Sequence, residues 1–264
     1  MALPPPSSDT TCVVTGASSG IGSECARELV RRGYGVTLVA RREERLRELA
    51  AELGDAAEVY TCDVTDPAAR QGLADALTER GKAVGILVNN AGFSTSGPFA
   101  RSDRRRELDM IRTNVEAVVD FCALFVPGMV DRGRGGVLNL ASTAAFQPLP
   151  MQAGYAATKA FVLSFTESLH AELRGTGVAI TALCPGPVKT EFAEVAGLQN
   201  AESLPGVFWD GPEEVAQAGI RGLERGKRVV IPGGINRAGA IGGQHVPRGV
   251  LLRVASRVHP AAPR

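Results

Sequence analysis

The stretch Thr11–Gly33, TCVVTGASSGIGSECARELVRRG, changes its periodicity half-way, and that change decides the fold. "TCVVTG" (11–16) is a short apolar run of β-forming residues that stops at a glycine. "IGSECARELVRRG" then spaces Ile21, Cys25 and Leu29 as one face of a helix and stops at Gly33. A strand that passes through a glycine-rich turn into a helix is the first half of a βαβ unit. The pattern repeats outward. "GVTLVAR", "AEVYTCDV", "VGILVNNAG", "GGVLNLAS", "VAITALCPG" and "KRVVIPGG" read as six further strands. Helical patterns separate most of them, including a long one over about 103–131 and another over about 154–174. The strand runs are continuously apolar, as expected when both faces of a parallel sheet are covered. The prediction is an α/β fold: one doubly wound domain over 10–235 on a seven-stranded parallel sheet. A disordered tail is expected at 1–9, and a helical extension at 236–264, packed on the domain or on a partner subunit.

Composition bounds the function. The chain has 264 residues, 44% hydrophobic and 22% charged, with net charge +1. No basic excess points to nucleic acid. The N-terminus lacks a basic and then apolar leader. The charge-free run 135–158 is interrupted by Asn139, Gln147, Pro148, Pro150 and Gln152, and "AVVDFCALFVPGMV" by Asp120 and Pro127, so neither reads as a membrane span. Cys12, Cys25, Cys62, Cys122 and Cys184 all lie in apolar segments without a C-x-x-C pair, which fits a reducing, cytoplasmic setting. The three histidines are far apart and have no cysteine at ligand spacing, so no metal is expected.

In doubly wound sheets ligands bind beyond the carboxyl ends of the strands. After the first strand, "TGASSGIG" places Gly16, Gly20 and Gly22 at G-x-x-x-G-x-G spacing, with Ser18, Ser19 and Ile21 between them. Such a turn lets backbone approach a pyrophosphate and aims a helix N-terminus at it; a plain glycine turn is the ordinary alternative. After the third strand, Asp63-Val64 could accept from an adenine amino group or simply cap a helix. After the fourth, "NNAG" (Asn89, Asn90, Ala91, Gly92) could brace adjacent loops beside a ribose. After the fifth comes Ser142, and thirteen residues on Tyr155, with Lys159 one helical turn later. Positions i and i+4 share a face, so phenol and ammonium point the same way. A nearby cation should pull the phenol pKa down from about 10 and make it a usable acid or base.

Taken together, "TGASSGIG", Asp63, "NNAG", Asn114, Ser142, Tyr155-x-x-x-Lys159 and "PGPVKTEF" resemble the short-chain dehydrogenase/reductase family over about residues 10–235. The resemblance implies a Rossmann-type domain and an oxidoreductase that moves a hydride between a nicotinamide cofactor and a carbonyl or secondary alcohol. It implies a tetrad in which Tyr155 is the general acid or base, Lys159 lowers its pKa and holds ribose hydroxyls, Ser142 polarises the substrate oxygen and Asn114 anchors a relay water. Pro185, Gly186, Val188 and Thr190 would close over the nicotinamide.

The second strand ends where the adenosine ribose should lie. An NAD site wants a carboxylate there; this chain has Ala40, followed by Arg41 and Arg42. A guanidinium can grip a 2′-phosphate, with Ser18 adding a hydroxyl, so NADP(H) is expected. Arg41 is the stronger candidate, because Arg42 can merely open the charged helix "RREERLRELAAEL". Pocket walls built from Phe93, Phe146, Met151, Phe192, Leu198, Phe208 and Trp209 would favour a lipophilic carbonyl or alcohol. "SDRRRELD" (102–109) reads as a solvated helix start. "RGVLLRVASRV" is basic and amphipathic; it could touch anionic lipid, though packing on protein is the commoner use. The two long helices suggest a homodimer or homotetramer. Two rivals remain, a nucleotide-binding sensor without turnover and an epimerase or dehydratase relative; the full tetrad speaks against the first, the glycine spacing and short C-terminus against the second.

Overall fold

β1 (Thr10–Thr15) consists of buried apolar and threonine residues and turns at Gly16 into α1 (Gly20–Arg31), whose Cys25, Ala26 and Leu29 are buried. This computed structural model describes residues 3–192, 196, 206 and 209–258. The expected alternation follows: β2 (Val36–Ala40), α2 (Glu43–Leu53), β3 (Ala57–Thr61), α3 (Pro67–Glu79), β4 (Ala83–Asn89), α4 (Arg104–Ile111), α5 (Ala117–Asp131), β5 (Gly135–Leu140), α6 (Ala153–Glu172), β6 (Val178–Leu183), α7 (Pro212–Glu224) and β7 (Val229–Val230). α8 (Gly234–His245) and α9 (Arg248–Val258) complete the described chain. The seven strands form one sheet in the order β3-β2-β1-β4-β5-β6-β7, all pairs parallel. The order reverses between β1 and β4, which opens a crevice at their carboxyl ends.

Both faces of the sheet are covered. Cys25, Leu29, Leu46, Ile220 and Leu223 pack on one face, and Leu73, Leu77, Phe121, Phe125 and Met129 on the other. The long helix expected at 103–131 is interrupted by a π-helical turn at Arg112–Glu116. Pro127 lies inside α5 and does not end it. Its cost of about 3 kcal/mol is outweighed by packing of Phe121, Cys122, Phe125 and Met129 against the sheet. By length and composition, Arg104–Asp131 is the one helix among the described residues that could cross a membrane; half of its apolar window is buried inside the protein, as in a core helix. All five cysteines are buried and unpaired.

Within the segment 1–9, expected as a disordered tail, Leu3 and Pro4 are packed on the fold. Both are buried, and the Tyr34 hydroxyl donates to the Pro4 carbonyl at 2.9 Å. Leu3 fills the space over Gly136 at the start of β5, where no side chain competes. At the other end, α8 packs on the 3-10 turn Thr143–Phe146 that follows Ser142.

Candidate active site

The glycine turn is shaped by contacts that leave no room for side chains. Gly16 has φ +65°, and a Cβ there would meet Asn90 Nδ2 at 2.7 Å. A Cβ on Gly22 would meet the Gly16 carbonyl oxygen at 2.3 Å. Asn90 braces the turn by donating to the carbonyls of Thr15 and Gly16 at 3.0 and 3.1 Å. Ser19 precedes α1 without capping it through its side chain, so the first-turn N–H groups remain for an anion. Thr190 lies over the turn, its methyl 3.0 Å from where a Gly20 Cβ would be.

At the adenosine end, buried Ala40 closes β2. The arginines divide the work differently from expectation. Arg41 lines the cleft but is 74% exposed and comes only within 3.9 Å of Asp63. Arg42 turns back to the glycine turn: Nη2 donates to Ser19 Oγ at 2.8 Å and to Ser18 Oγ at 3.0 Å. The residue that begins the charged helix is therefore the one that meets Ser18. Asp63 accepts from the Thr65 backbone N–H and hydroxyl and holds the turn, but the helix cap is Asp66, which accepts from the Ala68 N–H at the start of α3. Burial opposes ionisation of Asp63, but the Thr65 hydrogen bonds and Arg41 leave its pKa below the usual value. Beside it, buried Arg70 donates to the Val64 carbonyl at 2.7 Å and pairs with Glu116 and Asp120.

At the other end, Ser142, Tyr155 and Lys159 converge as the spacing predicted, all three nearly buried. Ser142 leads the 3-10 turn, its oxygen accepting from the Ala144 N–H at 3.1 Å. Lys159 Nζ donates to the carbonyl of Leu140, the last residue of β5, at 2.8 Å, and sits 5.8 Å from the Tyr155 ring centre. The expected lowering of the phenol pKa is not found. Burial pushes Tyr155 up to about 12, against the pull of a Ser142 hydrogen bond, and pushes Lys159 down to about 8. Desolvation outweighs attraction because both groups leave water while Lys159 spends a hydrogen bond on a carbonyl. Near neutral pH the phenol keeps its proton, the state a proton donor needs.

Asn114 lies in the π-helical turn and is fully buried. Its Oδ1 accepts from Phe93 N at 3.1 Å, and its Nδ2 donates to the Phe93 carbonyl and to Thr158 Oγ1. Both amide hydrogens are thereby used, and one acceptor lone pair is left for a water. A Cβ on Gly92 would lie 3.0 Å from Asn114 Oδ1 and 3.5 Å from Lys159 Nζ, so glycine lets the three elements meet.

One cleft of about 1210 Å³ joins the two ends. Gly16, Arg42, Asp63, Val64, Ala91 and Gly92 line it on one side, and Ser142, Tyr155, Lys159, Pro185, Gly186 and Val188 on the other. Phe93, Leu149, Phe192 and Trp209 add apolar wall, with Phe192 tilted against Tyr155 at 5.6 Å. Phe146 is not part of it: it packs with Val118, Ala141 and Val162 beneath the 3-10 turn, because the turn directs it inward. Met151 also lies off the cleft, while Leu198 and Phe208 fall outside the described residues. "SDRRRELD" is the solvated helix start expected, with Asp103 accepting from the Arg105 and Arg106 N–H groups at the head of α4; Asp103, Arg105, Arg106, Asp109 and Arg112 also line the cleft, with Arg106 over the Phe93 ring. The close-packed glycines of the turn, the helix end without a side-chain cap and a cleft lined from Ser18 to Tyr155 fit a dinucleotide with its phosphates at α1 and its reactive ring beside Tyr155.

The sequence model of the short chain dehydrogenases matches residues 10–201. The chain belongs to this family. A sulfoacetaldehyde reductase 2 of Chromohalobacter salexigens is 40% identical over 187 residues, covering 69% of this chain and 74% of that protein. A putative ketoacyl reductase of Streptomyces coelicolor is 41% identical, covering 69% and 71%. Among solved structures, a short-chain dehydrogenase from Sphingobium yanoikuyae in complex with NADPH superposes with TM-score 0.80 at 34% identity, covering 92% of this chain and 95% of that one. The protein is thus an oxidoreductase acting on small molecules.

For this short-chain dehydrogenase, reading by motif missed two groups. Arg70 stands three and seven residues before buried Leu73 and Leu77, so a charge on an apolar helical stripe was the available signal. Asn236, in α8, donates to Asp210, whose backbone N–H bonds to the Pro187 carbonyl and holds the 185–190 segment. No local pattern reveals that contact.

Proposed function

We propose that the protein uses NADP(H) to interconvert a lipophilic ketone or acyl-type carbonyl and its secondary alcohol, with Tyr155 as proton donor in reduction. The observation that carries this is a buried, protonated phenol beside Ser142, in the same cleft as a glycine turn gripped by Arg42. When bound, the cofactor supplies a hydride to the carbonyl carbon. Ser142 donates a hydrogen bond to the substrate oxygen and holds it against Tyr155. Tyr155 gives that oxygen its proton, and the Lys159 ammonium, one turn away, stabilises the phenolate left behind. Asn114 fixes Phe93, next to Gly92, and so the wall against which the nicotinamide would lie.

NADP(H) is supported by the missing carboxylate at Ala40, by Arg42 with Ser18 and Ser19, and by neighbours solved with NADPH or NADP+. Phe93, Leu149, Phe192 and Trp209 support a lipophilic substrate. Exposed Leu108, Ile111 and Phe161, on the helices expected to pair, support a homodimer or larger homo-oligomer. Five buried thiols support a cytoplasmic site of action. Consumption of NADPH is to be followed with aliphatic, aromatic and steroid ketones and a 3-oxoacyl thioester. Turnover of the apolar members is expected; turnover confined to small hydrophilic anions such as sulfoacetaldehyde would overturn the substrate reading.

A further inference from the structure

The guanidinium pair at the adenosine end carries an anion from elsewhere in the chain. Glu191 follows Thr190 and is 149 residues from Arg42 in sequence. Its Oε2 accepts from Arg42 Nη1 at 2.9 Å and its Oε1 from Arg45 Nη1 at 2.5 Å. Arg42 at the same time reaches Ser18 and Ser19. Two anionic oxygens shared by two guanidinium groups beside a serine hydroxyl are what a phosphate monoester would ask of this corner. Hydrogen bonds from Arg42 and Arg45 hold the Glu191 carboxyl below its usual pKa, so it is ionised at neutral pH.

We infer that Glu191 is a specificity-determining residue: its carboxylate occupies the arginine corner that the cofactor's 2′-phosphate would take, and so competes with NADP(H) but not with NAD(H). The inference rests on the NADP(H) reading above. A 2′-phosphate, with charge near −2 at neutral pH, has to displace Glu191 from Arg42 and Arg45. The displacement is feasible because all three side chains are between a third and a half exposed, where ion pairs are weak. An unphosphorylated ribose leaves the pairs intact, and the carboxylate can accept from its 2′-hydroxyl. Glu191 therefore narrows the preference that Arg42 creates, and Arg45 becomes a second phosphate ligand once Glu191 has moved.

Calorimetric titration of the whole protein with 2′,5′-ADP and with 5′-ADP separates these effects. Two exposed ion pairs lost imply that Glu191→Gln binds 2′,5′-ADP about three- to tenfold more tightly. Affinity for 5′-ADP should stay the same or weaken. Glu48→Gln, an exposed change of equal charge on α2, should shift either ligand by less than about twofold. A wild type that prefers 2′,5′-ADP, together with a Glu191→Gln variant that binds it no more tightly, would overturn the inference and leave the NADP(H) reading standing. If neither protein distinguishes the two nucleotides, the NADP(H) reading fails and the inference falls with it. A preference that emerges only in Glu191→Gln would support both.

Discussion

The two ends of the cleft hold charge in opposite ways. Around the glycine turn, Arg42, Arg45 and Glu191 are 39–47% exposed and satisfy one another across the surface. Around Ser142, Tyr155 and Lys159 are only 8% and 5% exposed, and burial moves both toward their neutral forms. Solvent screens the first set, which can exchange one anion for another at little cost. The second set cannot exchange partners cheaply, but small movements of charge there have large effects. An exposed ionic corner suits recognition, and a dry proton donor suits chemistry.

The comparison can be broken most severely at the dry end. Ser142→Ala removes a hydrogen-bond donor to the developing oxyanion, and kcat should fall about 10²–10³-fold with cofactor affinity unchanged. Steady-state kinetics with a tight nicotinamide titration checks this; a loss below about tenfold would remove Ser142 from the chemistry.

At the ionic end the expected effect is smaller and falls on selectivity. Ala40→Asp with Arg42→Ala supplies the missing carboxylate and deletes the guanidinium that meets Ser18. A charge-assisted contact of about 1.5–3 kcal/mol implies a shift of roughly ten- to hundredfold in the NADPH/NADH ratio of kcat/KM. Arg41→Ala alone should shift it less, because Arg41 is 74% exposed and meets Asp63 rather than Ser18. Equal effects of the two arginines would contradict the geometry.

A separate effect is expected on stability, and it appears only at alkaline pH. The folded chain raises the Cys25, Cys62, Cys122 and Cys184 thiols to about 12, 11, 12 and 12, and Cys12 further, mainly by burial. The unfolded chain releases these protons first, from about pH 9, so stability is full below that pH and declines as pH rises. Tyr155 acts in the same direction above about pH 10. Lys159 acts oppositely: its folded pKa of about 8 lies below the unfolded value, so rising pH relieves its burial. Five thiols outnumber one lysine, and the urea midpoint should fall between pH 9 and 11. A flat or rising midpoint would mean that the thiols are not sealed from solvent.

The alternation of strands and helices was legible because it is local: continuous apolar strands, glycine stops and helical spacing are each set by neighbouring residues. So were the turn around Gly16 and Gly22 and the i, i+4 relation of Tyr155 to Lys159. What was not legible depends on distance in sequence. Arg42 rather than Arg41 meets Ser18 because of how α2 leaves β2, Phe146 turns inward because α8 and α6 frame its turn, and Glu191 reaches the arginines only through the fold. The phenol pKa failed as an expectation for a related reason. Spacing reports a cation one turn away, but only packing reports how dry the site is.

The central claim is that binding and proton donation reside at opposite ends of one cleft. Tyr155→Phe tests it most directly when the Kd for NADPH and the single-turnover rate of hydride transfer to a ketone are measured on the same sample. Kd should stay within about threefold of wild type, because the ionic corner is intact, while the rate falls by about 10²–10⁴. A variant that keeps more than about a tenth of the rate, or that loses affinity and rate together, would contradict the account.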